Sequence, residues 1–148
     1  MDSEARVDLV LRLLKAMNDR DIPTSRSLTG DAFAIHYRGG IPALRGDWSG
    51  DDRTLFAAAV FGQLAGGTVR LEPGEGRAVG DHLVSMDATL HCTLDGEERT
   101  VRTANVYLVE DGLVSEVYET PNPVDPDDPL AREAERAFAA TREALASG

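Results

Sequence analysis

The sequence is short of four things, and each shortage removes a class of function. Positive charge is outnumbered: 15 Lys and Arg face 26 Asp and Glu, for a formal net charge of −11. Nucleic acid and membrane are therefore not expected partners, since phosphates and anionic headgroups are held by basic patches. Lysine is nearly absent, Lys15 being the only one. A Schiff-base enzyme would have to use it, yet helical spacing puts Lys15 on a wet face beside Asp8 and Arg12. No glycine-rich stretch carries the lysine that a phosphate-cradling G-x-x-x-x-G-K-S/T loop needs, so Gly39-Gly40 to Gly50 reads as a turn region. Cysteine occurs once, as Cys92, which excludes an internal disulfide and looks like a small core filler. No apolar run approaches the roughly 20 residues of a membrane span, and the opening MDSEARVD is acidic rather than signal-like. The expected compartment is the cytoplasm.

What is present suits one domain of 148 residues, enough to bury a core and still hollow out a small-molecule pocket. Val7, Val10, Leu11, Leu14 and Met17 recur at helical spacing over residues 4–18, and a short second helix ends near Leu28. DAFAIHYR follows as a strand with Ala34, His36 and Arg38 on one face and Phe33, Ile35 and Tyr37 on the other. Ser49 and Asp52 form a candidate capping box for a helix to about Leu64, with Leu55, Phe56, Ala59 and Val60 in its stripe. From Thr68 to Thr120 the period becomes two, and Gly80-Asp81, Asp95-Gly96 and Asp111-Gly112 break the run into an antiparallel meander. A two-residue turn at Asp95-Gly96 sets Val84 against Tyr107, Met86 against Asn105, Ala88 against Thr103 and Leu90 against Val101. That is an apolar wall interrupted by Thr103, Asn105 and Tyr107, the composition of a ligand site.

The next hairpin leaves two registers open. A two-residue turn at Asp111-Gly112 opposes Tyr107 to Glu116 and Asn105 to Tyr118, turning Glu119 away. A three-residue loop with Gly112 left-handed opposes Asn105 to Val117 and puts Ser115, Val117 and Glu119 on the inner face. Residues 121–129, with Pro121, Pro123, Pro126 and Pro129, read as a stiff linker. Residues 130–148 read as an amphipathic helix capped by Asp128, whose stripe lies on this subunit, closes over the pocket as a lid, or docks on a partner as a dimer arm. His82 and His91 fall on opposite faces of one strand, so no metal site is expected.

The order helices, strand, helix, long meander, together with DAFAIHYRGG, LRGDWSGDDRTLFAAAVFGQLAGGTVRLE and VYLVEDGLVSEVYE, resembles the SnoaL-like polyketide cyclase and ketosteroid-isomerase-like group of the nuclear transport factor two-like superfamily over about residues 5–120. The resemblance implies an α+β fold in which N-terminal helices pack on a strongly bent, mainly antiparallel sheet to make a cone, here with an extra C-terminal helix. It implies a cofactor-independent cyclase or isomerase acting on a hydrophobic, polyketide-like carbonyl compound, in a homodimer. The alternative is a non-catalytic small-molecule-binding or dimerisation module of the same fold. By position, His36 takes the place of the isomerases' general base, Asn105 that of their enolate-oxygen donor, and Glu119 that of the cyclases' acid/base. Leu13 stands where the isomerases keep an oxyanion-hole tyrosine. The resemblance also selects the three-residue loop, since that loop turns Glu119 inward. Substrate contacts are then expected from Trp48, Phe56, Val84, Met86, Thr103, Tyr107 and Val117.

Overall fold

The computed structural model describes the chain from Met1 to Gly148. Two aspartate-glycine turns organise its C-terminal half. Asp95 and Gly96, then Asp111 and Gly112, have positive φ at both positions, the geometry whose twist matches that of the flanking strands. They join β4 (Leu83–Leu94), β5 (Glu97–Glu110) and β6 (Leu113–Pro121), with β3 (Arg70–Val79) ahead of them. The strand β1 (Thr29–Tyr37) lies parallel to β6, and β2 (Gly46–Ser49) pairs antiparallel with β1, giving a six-stranded sheet ordered β2-β1-β6-β5-β4-β3. Breaks in register in β1, β3 and β6 interrupt the ladder, and each such irregularity bends a sheet and adds twist. The result is an α+β fold with helices gathered on one side of a bent, mainly antiparallel sheet.

Those helices are α1 (Ser3–Asn18), capped by Asp2, and α2 (Ile22–Leu28), capped by Asp21, followed by α3 (Asp51–Ala57), which widens into a π-helical stretch, Ala58–Gln63. The expected capping box does not form. Ser49 is drawn into β2 opposite Ala34, and Gly50, at φ 58°, makes the turn into α3 with no side-chain cap. The final helix α4 (Pro129–Ser147) begins as expected, with the Asp128 carboxylate accepting from the Leu130 amide at 2.8 Å. Much of its stripe packs within the chain: Leu130, Ala134, Ala137 and Phe138 belong to the same hydrophobic core as α1 and the sheet, while Leu145 near its end is exposed. Phe138 meets Trp48 at 5.2 Å and Phe56 at 6.3 Å between ring centres. Arg136 donates to the Gln63 carbonyl and Glu133 accepts from the Ala65 amide, which ties α4 to the end of the π-helical stretch.

The registers of the two hairpins decide which side chains face the helices. Between β4 and β5 the expected pairing holds at Val84↔Tyr107, Ala88↔Thr103 and Leu90↔Val101. Between β5 and β6 neither sequence alternative is right. The turn is the two-residue one, with Glu110↔Leu113 and Val109↔Val114, but β6 then carries one extra residue, Ser115. Beyond that bulge the partners are Leu108↔Glu116, Tyr107↔Val117 and Asn105↔Glu119. One inserted residue reverses the side of every later side chain. The face expected from a three-residue loop is therefore reached by another route, and Asn105 opposes Glu119 instead of Val117.

Candidate active site

Glu119 sits at the centre of the inner face. Its register partners are Tyr37 on β1, in a parallel pair, and Asn105 on β5, in an antiparallel pair; side chains at paired positions share a face. Its carboxylate lines a chamber of about 40 Å³ whose other walls are hydrophobic, among them Leu13, Tyr37, Phe56, Leu90, Tyr107 and Val117. No hydrogen bond or charge within the chain stabilises its ionised form, and burial pushes its pKa up to about 7. Glu119 is half-buried by its accessible surface but is packed closely on all sides by the chamber walls, and desolvation is the one influence acting on it. Burial and the nearby Glu119 carboxylate also hold the Tyr37 and Tyr107 hydroxyls firmly protonated, well above the usual phenol range.

The polar groups of β5 form a short relay beside it. Thr103 Oγ1 donates to Asn105 Oδ1 at 2.8 Å, and Asn105 Nδ2 donates to the Tyr107 hydroxyl at 3.3 Å. The Tyr107 oxygen is thus supplied with a donor, which leaves its own proton free to be given to a ligand oxygen. Asn105, itself 2% exposed, acts on the chamber through Tyr107 and does not line it. On the other flank, Tyr37 depends on the close passage of Gly40 over the end of β6. A Cβ at Gly40 would lie 2.6 Å from Pro121 Cβ and 3.0 Å from the Tyr37 hydroxyl, and φ is +63° there, so only glycine fits.

A larger cavity of about 270 Å³ opens outward between α1, α2, β1 and α3. Leu13, Met17, Phe33, Ile35 and Phe61 line both spaces and divide them. Phe61 rides on the π-helical stretch, a local widening often met at functional sites. The two adjoining spaces make a funnel divided by these side chains, with Glu119 in the narrow inner part.

Several expected site residues lie elsewhere. His36 is on the outer face of the sheet, for the alternation of β1 that buries Phe33, Ile35 and Tyr37 turns it away. There Nδ1 meets Asp47 at 2.6 Å, Nε2 meets Glu116 at 3.0 Å, and the ring stacks on Tyr118 at 4.4 Å. Burial alone would lower its pKa, but the two carboxylates outweigh that and leave it above the ordinary histidine value. His36 therefore cannot share a substrate with Glu119. Trp48 is packed between Phe56 and Phe138, with its indole N–H on the Leu44 carbonyl. Val84 and Met86 are fully buried core, Met86 lying against the β3 bulge at Gly76 under α1, and Thr103 supports Asn105. Of the expected contacts, Phe56, Tyr107 and Val117 line the chamber together with Glu119. Sequence reasoning missed Tyr37, Met17, Phe33, Ile35, Phe61 and the arginines of the outer opening. The apolar face of DAFAIHYR held the signal for three of them.

No helix is long and apolar enough to cross a membrane, and no cluster of three or more His, Cys, Asp or Glu side chains could hold a metal ion. No family model matches the sequence, and no curated protein sequence matches it. The fold, by contrast, recurs in many solved structures. The chain has the nuclear-transport-factor-two-like fold. Bal32a, from a soil-derived mobile gene cassette, superposes with a TM-score of 0.71 at 21% identity, over 80% of this chain and 89% of that one. A protein of Jannaschia sp. CCS1 assigned as a SnoaL-like polyketide cyclase gives 0.66 at 17% identity, over 81% and 87% of the two chains. IdmH of Streptomyces antibioticus, assigned as a polyketide cyclase, gives 0.64 at 15% identity, over 93% and 98%.

Proposed function

We propose that this protein is a cofactor-independent cyclase or isomerase in which Glu119, not His36, moves the proton. One observation carries the reading: a carboxyl with no partner in the chain, at the end of an apolar funnel, with its pKa pushed up to about 7. A base of that pKa is substantially ionised near neutrality and is strong enough to accept a proton from an activated carbon. The ionised Glu119 removes a proton from the carbon beside a carbonyl. The C–H electron pair becomes the enolate double bond, and the carbonyl π pair moves to oxygen. The Tyr107 hydroxyl donates to that oxygen, with Asn105 donating to Tyr107 from behind. The enolate carbon then attacks an electrophile in the same molecule and Glu119 gives its proton to the product oxygen; in a substrate whose further C=C extends the enolate to a dienolate, Glu119 instead returns the proton to the far carbon. A hydrophobic, polyketide-like carbonyl compound suits the walls, and fold neighbours assigned as polyketide cyclases are consistent with that class.

Deuterium exchange at the C2 position of 1-tetralone, followed by NMR, tests the step without knowledge of the natural substrate. Wild-type protein should accelerate exchange over buffer, and Glu119→Gln should abolish the acceleration while His36→Ala keeps it. Equal rates in wild type and Glu119→Gln would sink the reading. A second reading, binding without chemistry, is favoured by the divided funnel. The outer cavity is several times larger than the chamber, and a ligand could rest there without reaching Glu119. In that case ligand binds, no exchange is seen, and Glu119→Gln leaves affinity unchanged.

A further inference from the structure

We propose that the funnel takes amphipathic carboxylates, held at its outer opening by Arg20, Arg26 and Arg53 with the apolar body pointing toward Glu119; this deepens the reading above and rests on it. All three arginines line the outer cavity, and the acid lining it is Asp21. Asp21 is already engaged, for its carboxylate caps α2 through the Thr24 amide and hydroxyl. None of the three guanidiniums forms an ion pair within the chain, although acidic residues outnumber basic ones by 26 to 15. Two are held from behind by neutral acceptors. Arg53 donates to the Gly30 carbonyl and Thr29 Oγ1 and lies 5.0 Å from the centre of the Phe33 ring. Arg20 donates to the Met17, Asn18, Gly67 and Val69 carbonyls, which occupies both its terminal nitrogens and leaves it to act on a ligand by charge, and it lies 5.1 Å from the centre of the Phe61 ring.

Arg26 has no side-chain partner in the chain, and its charge is close enough to be felt by Arg53. Asp31 also acts on Arg53, from beyond ion-pair distance. Arg26 and Arg53 repel one another across an apolar mouth without an ion-pair partner, and a ligand carboxylate offsets that repulsion while accepting N–H donors from them. The sheet supplies a ruler. Arg53 stacks at Phe33, Tyr37 pairs with Glu119, and the four steps along β1 from Phe33 to Tyr37 span about 13 Å. The ligand should carry its carboxylate roughly that far from the reacting carbon.

Calorimetry with 4-biphenylacetate, its neutral amide 4-biphenylacetamide, and acetate as a competitor tests this on the whole protein. The acid should bind about tenfold or more tighter than the amide, a preference that shrinks with added salt. Acetate alone should not compete. Arg26→Gln, at a residue whose side chain makes no contact the fold depends on, should cut acid affinity about fivefold and leave the amide unchanged. Equal affinity of acid and amide, or no binding of either, overturns the proposal. So does an acid preference that survives both Arg26→Gln and Arg53→Gln. Glu119→Gln separates the two ideas: if it spares proton transfer while the acid preference persists, the catalytic reading has failed and the anion site stands.

Discussion

The two faces of the sheet treat their ionisable groups in opposite ways, although adjacent residues of the same two strands supply both. On the outer face His36 lies between Asp47 and Glu116 and stacks on Tyr118. Its counterpart His91 lies between Glu98 and Glu72, at 3.0 and 3.2 Å. Each histidine there is matched by two carboxylates that also face water, and such pairs contribute little to stability, about 1 kcal/mol or less. One residue along, Tyr37 and Glu119 form the corresponding pair on the inner face, where the acid has no hydrogen-bond or charge partner within the chain. An ionisable group with satisfied partners explains itself structurally. An isolated one raises the free energy of the folded state, and a reactive role is the reading that accounts for its presence.

The largest test of that contrast is Glu119→Gln, which should lower proton transfer by about 10²- to 10⁴-fold. Wild-type rates should rise with pH through about 7 and then level off, because the base must be ionised. Tyr107→Phe comes next, with a loss on the order of 10- to 100-fold in turnover and little change in ligand affinity, since the hydroxyl is needed where charge develops. Asn105→Leu should give a smaller loss of turnover and also destabilise the fold by about 1–3 kcal/mol, because it orphans Thr103 Oγ1 in the core.

Stability against pH distinguishes the faces again. Glu119 has a folded pKa above its unfolded value of 4.5, so the native state binds the proton more tightly. Stability should be greatest below about 4.5 as far as this group is concerned, and fall as pH rises through about 7, by on the order of 3 kcal/mol. Denaturant titrations of wild type and Glu119→Gln across that window should diverge accordingly. His36→Ala has the smallest effect: no change in proton transfer, and a stability loss of about 1 kcal/mol or less. His36 has a raised folded pKa, so that small contribution is present below its unfolded value of 6.5 and lost as pH climbs through the folded one.

What the sequence revealed and what it concealed follow from the range of the interactions involved. Both aspartate-glycine turns, the β4–β5 register and the Asp128 cap are local, and their residues announce them. The inner face of β5 was legible for the same reason, because apolar alternation marks it. Position by family resemblance puts His36 in the site, whereas the alternation of DAFAIHYR turns it to the other face, because its apolar members Phe33, Ile35 and Tyr37 belong inside. The Ser115 bulge has no glycine or proline to betray it. Its hydroxyl reaches the Leu108 carbonyl at 3.3 Å, a contact that exists only once β5 is alongside. The arginine rim joins the α1–α2 turn, α2 and α3, and no spacing within one segment could have shown that Arg20, Arg26 and Arg53 share an opening.

The central claim is that Glu119 is an isolated acid poised near neutrality, and its titration can be read directly. Carbon-13 labelling of the glutamate carboxyls, with the Glu119 resonance identified by its absence in Glu119→Gln, gives the site's own curve by NMR. The account predicts a midpoint near 7, shifting when a carboxylate ligand enters the funnel. A midpoint near 4.5, the value of an ordinary solvated glutamate, would contradict it.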